Sequence, residues 1–349
     1  MFSDNQVYID DVRQVAVRPL PWEKLNGRTV LITGASGMIG TFLIDVLMER
    51  NINYAAGIKI FALGRSKDRA LARFRDYIND YYFTFIQCDL NEEISLEGEF
   101  DYIFHCASNT HPTAYATDPI GTIMTNVWGT NQILRLAAKC GSKRVLFMST
   151  VEIYGENRGD VELFDEEYCG YIDCNTLRAG YPEGKRTGEA LCQAYIRSYD
   201  LDIVIPRICR VFGPTMLSSD SKALSQFIKK AVAKEDIILK SDGNQYFSYC
   251  YVGDAVSALL YLLFYGEKGQ AYNIADVKFN IRLKELARML AETAGTQVVF
   301  QLPDSVEASG YSKATIALLN AEKLQKLGWA VQGGIRERLE KTVCVLRSL

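Results

Sequence analysis

Apolar residues along this chain alternate between two rhythms. Short apolar runs at Thr29–Thr33, Ile58–Leu63, Phe83–Cys88, Tyr102–Cys106 and Arg144–Ser149 read as buried strands. Longer stretches of helical periodicity, Met38–Arg50, Lys67–Tyr77 and Pro119–Cys140, lie between them. That alternation predicts an α/β fold, a doubly wound parallel sheet. A further helix over Tyr181–Tyr199 leads into a strand at Ile203–Arg207. Beyond Pro214 the pieces shorten. Helices near Ser221–Lys234, Asp254–Tyr265, Leu283–Ala294 and Gly334–Leu349 alternate with strands near Ile237–Leu239, Tyr246–Tyr251 and Ala271–Ile274. We therefore expect a main domain over residues 28–213 and a smaller mixed lobe over 214–349 that returns in part to the main sheet. Residues 1–27 form an N-terminal extension, read either as a loose tail or as an arm packed on a neighbour.

Composition narrows the function classes. A chain of 349 residues with 48% hydrophobic content can bury a large core. Its formal charge of −3, with acids and bases interspersed, offers no basic stripe for nucleic acid. The first residues, MFSDNQVYIDD, are acidic where a signal peptide needs a basic flank, and no apolar stretch reaches membrane-spanning length, so a cytoplasmic address without membrane contact is expected. The 9 cysteines show no paired CxxC spacing, and only His105 and His111 offer imidazole, so no metal site is expected.

The first strand runs straight into Thr33-Gly34-Ala35-Ser36-Gly37-Met38-Ile39-Gly40 and then a helix. Glycines there allow a tight turn, a close approach of backbone to a pyrophosphate, and contact between helix and strand; the free N–H groups of the helix start favour the anion. Gly34, Ser36, Gly37, Met38, Ile39 and Gly40 are thus candidate cofactor contacts. The spacing TGxxGxxG resembles the short-chain dehydrogenase/reductase superfamily, which implies a Rossmann-type domain and NAD or NADP. After the second strand, Gly64 stands where an NAD-preferring relative has an acid for the ribose 2′-hydroxyl, and Arg65 follows, which favours NADP; the bland alternative for Arg65 is a surface arginine. Asp89 and Leu90 match the position that meets the adenine ring, though an aspartate there can also cap a turn.

Ser149-Thr150 closes a strand, and Tyr181-Pro182-Glu183-Gly184-Lys185 opens a helix. Residues four apart share a helix face, so the Lys185 ammonium is expected to lower the Tyr181 phenol toward working pH and make it an acid/base. The Ser149 or Thr150 hydroxyl would orient the reacting alcohol or carbonyl. The order of these motifs, with Val151-Glu152-Ile153-Tyr154-Gly155, Asn126-Val127-Trp128-Gly129-Thr130, Gly213-Pro214 and Tyr251-Val252-Gly253-Asp254, resembles the extended branch of the superfamily. That branch holds the nucleotide-sugar epimerases, dehydratases and decarboxylases. The resemblance implies a nucleotide-activated sugar or polyol as substrate, a transient ketone made by hydride transfer, and a homodimer through the helices Pro119–Cys140 and Tyr181–Tyr199.

Departures from the family pattern separate the reactions. The 4,6-dehydratases carry Asp-Glu where this chain has Val151-Glu152, which argues against dehydration. The run Tyr181–Lys185 with Arg186 resembles the UDP-glucuronate decarboxylases, and Glu152 matches their active-site glutamate, placed either to assist enolisation or to bond its own loop. Their arginine after Gly-x-Gln-x, however, is Phe247 here. The expectation is therefore an epimerase first and a decarboxylase second, with a plain reductase or a non-catalytic redox sensor as rivals. Arg210 replaces an asparagine of relatives and either restores a phosphate-binding charge or forms a salt bridge between lobes. Asn109 and Lys313 complete the substrate-facing candidates; an exposed lysine is the simpler reading of Lys313.

Overall fold

The structure is a computed structural model that describes residues 2–110, 112–301 and 315–349. Seven parallel strands form the main sheet: β1 (Thr29–Thr33), β2 (Lys59–Gly64), β3 (Phe83–Gln87), β4 (Tyr102–His105), β5 (Arg144–Phe147), β7 (Ile203–Ile208) and β11 (Ala271–Ile274), with the short β6 (Ser149–Thr150) beside β7. Their order is β11-β7-β5-β4-β1-β2-β3. The interior strands are apolar on both faces because helices cover both: Val30, Leu31 and Ile32 of β1 have no exposed surface. The main helices around the sheet are α1 (Gln6–Ala16), α2 (Met38–Tyr54), α3 (Lys67–Arg73), α4 (Pro112–Thr117), α5 (Pro119–Met124), α6 (Thr130–Cys140) and α7 (Gly180–Tyr199).

The predicted strand over Arg144–Ser149 is interrupted at Met148. The first part pairs with β4 and the second with β7. At this break the Met148 carbonyl accepts a hydrogen bond from Lys185 Nζ. The predicted helix Pro119–Cys140 holds together but contains a π-helical turn at Thr125–Gly129. Gly184 lets α7 approach this turn so closely that a Cβ there would sit 3.1 Å from Asn126 Cβ. The helix predicted over Lys67–Tyr77 ends at Arg73, where Phe74 turns inward to pack, tilted, on Phe83 with ring centroids 5.1 Å apart.

The remaining elements are β8 (Arg210–Phe212), α8 (Ala223–Ala233), β9 (Ile237–Leu239), β10 (Tyr246–Tyr251), α9 (Val252–Tyr265), β12 (Asn280–Arg282), α10 (Leu283–Ala294), β13 (Val298–Phe300), β14 (Ile316–Ala317) and α11 (Ile335–Arg347). Strand β10 lies between β12 and β14 and also pairs with β8, so the chain leaving β7 continues into a second sheet. Helix α9 then crosses back over the main sheet, and β11 joins its edge beside β7.

The N-terminal extension packs on its own chain and is not a loose tail. Tyr8, Val12, Val15 and Ala16 of α1 are buried against the chain's own α2 and α9. Its buried Asp11 accepts hydrogen bonds from Tyr251 Oη at 2.7 Å and Arg338 Nη1 at 3.1 Å. The Tyr8 hydroxyl donates to Asp45 of α2.

Candidate active site

The glycine turn after β1 is set by backbone crowding. Gly34 has φ +66°, and a Cβ on it would lie 2.9 Å from the backbone of Cys106 and Ala107. A Cβ on Gly40 would lie 2.6 Å from the Gly34 carbonyl and 2.8 Å from Ala35. Neither position accepts a side chain, so the first turn of α2 packs directly onto the strand. Gly37 is the N-cap of α2 and brings no side-chain cap. The N–H groups of Met38 and Ile39, in the first turn, are therefore oriented to receive an anion. This cradle fits a dinucleotide pyrophosphate. Ser36 is buried at the end of β2, where a Cβ on Gly64 would stand 3.7 Å from its Oγ.

Beyond β2 and β3, Arg65, Gln87, Cys88, Asp89 and Glu92 line an open pocket of about 470 Å³. Asp89 also accepts the Asn91 N–H at 3.0 Å, so it serves the turn as well as the pocket. Leu90 is buried, and its carbonyl is held by Gln132 at 2.9 Å. Exposed Arg65 donates to Asn109 at 3.1 Å. Asn109, expected to face substrate, thus sits at the Arg65 end of the sheet. The strand order β4-β1-β2 carries the loop after β4 toward Arg65, and Asn109 also donates to Thr122 at 3.2 Å.

The second half of the site gathers around Tyr181, which is buried at the start of α7. Of the two strand-end hydroxyls, Thr150 is the one that acts on the phenol, drawing it downward. Successive strand residues point to opposite faces. Ser149 accordingly donates away from Tyr181, to Glu189, which is locked to Arg207 at 2.7 Å. Burial raises the Tyr181 phenol well above its ordinary value and Glu152 adds to the rise, while Thr150 and Arg178 act downward.

The Lys185 ammonium is not among the groups that draw the Tyr181 phenol downward in this structure. Its Nζ donates to the Met148 carbonyl at 2.7 Å and lies 4.9 Å from the Phe147 ring centroid. Burial brings the ammonium down to about 8. The cation that draws the phenol downward is Arg178, three residues before Tyr181, which grips both Glu152 oxygens at 2.9 and 2.8 Å. Burial works against the Arg178 charge, but Glu152 and Tyr115 outweigh it and hold the guanidinium above its ordinary range. Arg178 lies 4.6 Å from the Tyr115 ring centroid, and that ring stacks on Tyr181 with centroids 5.1 Å apart. Neither Arg178 nor Tyr115 emerged from the sequence. The proximity of Arg178 to the YxxxK helix was a usable signal, whereas Tyr115 had none.

Arg210 stands on β8 opposite Tyr249 of β10, with its guanidinium 3.5 Å from the Phe247 ring centroid. It forms no ion pair among the described residues, and its Nη1 is buried without a hydrogen-bond partner. Burial pushes its charge downward. A desolvated cation–π contact of this kind contributes about 2 kcal/mol, less than the several kcal/mol lost when a charge leaves water. Lys313 lies outside the described residues, as does His111. Among the described residues no cluster of His, Cys, Asp and Glu could hold a metal ion, and no helix is long and apolar enough to cross a membrane.

Comparison with known proteins places this geometry. The model of the NAD dependent epimerase/dehydratase family matches residues 30–275. UDP-glucuronic acid decarboxylases 4 and 6 of Arabidopsis thaliana are each 32% identical to this chain across 89% of its length. The chain spans 66% of the first and 86% of the second. The dTDP-glucose 4,6-dehydratase of Streptomyces venezuelae, solved with NAD bound, superposes with a TM-score of 0.77 at 23% identity, over 92% of this chain and 97% of that one. At such identity the likeness speaks for the fold. The family match spans the glycine cradle, the Thr150–Tyr181 centre and the return strand β11 together, and the chain belongs to the NAD dependent epimerase/dehydratase family, in the extended short-chain dehydrogenase/reductase branch.

Proposed function

We propose that this chain is an NAD-dependent decarboxylase of a nucleotide-activated uronic acid. Its relatives support this order over the epimerase-first expectation of the sequence. The observation that carries it is the position of Glu152, in the turn that Thr150 opens and paired with Arg178, which precedes Tyr181 by three residues. Gly34, Gly37 and Gly40 with the start of α2 would hold the pyrophosphate, and Asp89 the adenine end. Solved structures of the same fold hold NAD, which supports NAD over NADP.

Bound NAD supplies the hydride acceptor and, later, the donor. Tyr181 removes the proton of the sugar hydroxyl, with Thr150 fixing the oxygen that reacts. Oxidation at the carbon two bonds from the carboxylate gives a β-keto acid, whose carbon–carbon bond breaks with the electrons moving onto the ketone oxygen. Tyr181 and Thr150 stabilise that oxygen, and Glu152 manages the proton at the carbon left behind. The epimerase is the second reading, since the same residues suffice to oxidise and re-reduce one carbon.

The test is incubation with UDP-glucuronate and NAD, followed by mass spectrometry and proton NMR. Loss of carbon dioxide to a UDP-pentose is expected; an isomer of unchanged mass would establish the epimerase. Exposed Ile120, Ile123 and Met124 of α5 support the expected homodimer through this helix pair, to be measured by sedimentation.

A further inference from the structure

Among the described residues Arg210 is a charge without a counter-charge. The groups that act on it most strongly are Tyr249, Glu152, Cys209 and Arg178. The only carboxylate of these is Glu152, which has both oxygens committed to Arg178. Phe247 beneath it is buried and supplies a flat support without an acceptor. A guanidinium held on an aromatic face keeps its edge donors free, and the buried Nη1 has none of its bonds made. The local arrangement is thus complete except for an anion.

Its position says which anion. Thr150 pairs in register with Ile208, two residues before Arg210, so the unfilled donor stands beside the strand end that carries Thr150 and on the same side of the site as the reacting phenol. The nearest part of a bound sugar nucleotide to that phenol is the sugar, whose own substituents must supply the charge. We propose that Arg210 is the carboxylate receptor of this site and selects a nucleotide-activated uronic acid over the neutral sugar. This inference rests on the reading of the site as one for nucleotide sugars.

Register gives the means of testing it. Residues 210 and 247 lie on adjacent paired strands, and the Arg210 guanidinium rests on the Phe247 ring, so an arginine placed at 247 can bring its charge to the same spot once 210 is shortened. The affinities of the NAD-loaded protein for UDP-glucuronate and for UDP-glucose are measured by calorimetry for the wild type, Arg210→Gln, and Arg210→Asn combined with Phe247→Arg. Removing a charged hydrogen-bond donor should weaken UDP-glucuronate about 10- to 100-fold in Arg210→Gln. UDP-glucose should change less than about twofold, and the double variant should recover most of the lost UDP-glucuronate affinity.

Equal weakening of both ligands would overturn the proposal by assigning Arg210 to the diphosphate, and so would an unchanged UDP-glucuronate affinity. If Arg210→Gln fails to fold, Arg210→Lys carries the same comparison, because a point charge without the planar fork should still discriminate between the ligands, though less well. A wild type that binds neither ligand would overturn the proposed function itself, and is told apart from a failure at Arg210 because it needs no variant.

Discussion

The two ends of the site are built by opposite means. At the glycine cradle the structure is decided by what is absent: no Cβ can be accommodated at Gly34 or Gly40, and the binding groups are main-chain N–H groups that every sequence possesses. Around Tyr181 everything is decided by side chains arriving from separate elements, with Thr150 from β6, Glu152 and Arg178 from the turns that flank it, Tyr115 from α4, and Arg210 from β8. A backbone site tolerates little change but recognises a group common to many ligands. A side-chain site can be re-addressed one residue at a time, as by moving a charge between positions 210 and 247, which lie on paired strands.

The contrast can be broken from the substrate side first, where the larger effect lies. Arg178→Gln leaves Glu152 without its partner and removes the cation that draws the Tyr181 phenol downward. Turnover should fall by about 10²-fold, from a partly buried pair that contributes up to about 3 kcal/mol when one member is removed. The pH–rate profile should move to higher pH, since the phenol rises further, while NAD affinity stays within about twofold. A loss of NAD affinity equal to the loss of turnover would erase the distinction between the two ends.

On the cofactor side, Gly40→Ala forces a methyl to within 2.6 Å of the Gly34 carbonyl. Helix α2 must shift away from β1, at a cost of about 1–3 kcal/mol. NAD affinity measured by fluorescence titration should drop about tenfold, and Arg178→Gln should not reproduce it. An alanine variant that binds NAD normally would show that the cradle has slack the geometry does not reveal.

What the sequence could tell follows the same division. The cradle was readable because steric rules act within a few residues, and short strands such as Ile237–Leu239 and Tyr246–Tyr251 were placed at their observed limits by local apolar pattern. The Tyr181 helix was readable for the same reason. Its electrostatics were not, because spacing four residues apart gives a shared face but not a destination for Nζ, and Lys185 goes to a carbonyl freed by a strand break at Met148. The contact of Asn109 with Arg65 was not readable because only the strand order, a long-range fact, decides which loops are neighbours. The N-terminal arm was misjudged because the partners of Asp11, namely Tyr251 and Arg338, lie more than 200 residues away.

That arm offers the smallest and most specific effect. Asp45 of α2 receives the Tyr8 hydroxyl of α1, and burial raises its carboxyl to about 6, against the opposing hydrogen bonds of Tyr8 and Tyr77 and the charge of Arg73. The folded state therefore retains this proton to higher pH than the unfolded chain, whose carboxyl has its ordinary value of 3.8. A raised carboxyl contributes stability that is fully present below the unfolded value and is lost as pH rises through about 6. Between pH 5 and pH 7.5 the contribution that disappears is about 1 kcal/mol. Asp45→Asn keeps an oxygen for the Tyr8 hydroxyl but does not titrate. The stability of the variant relative to wild type, followed by thermal melts over that range, should rise by about this amount as pH increases. A difference that stays flat from pH 5 to 7.5 would mean that Asp45 is ionised throughout and that the arm is held by a charged hydrogen bond instead of a neutral one.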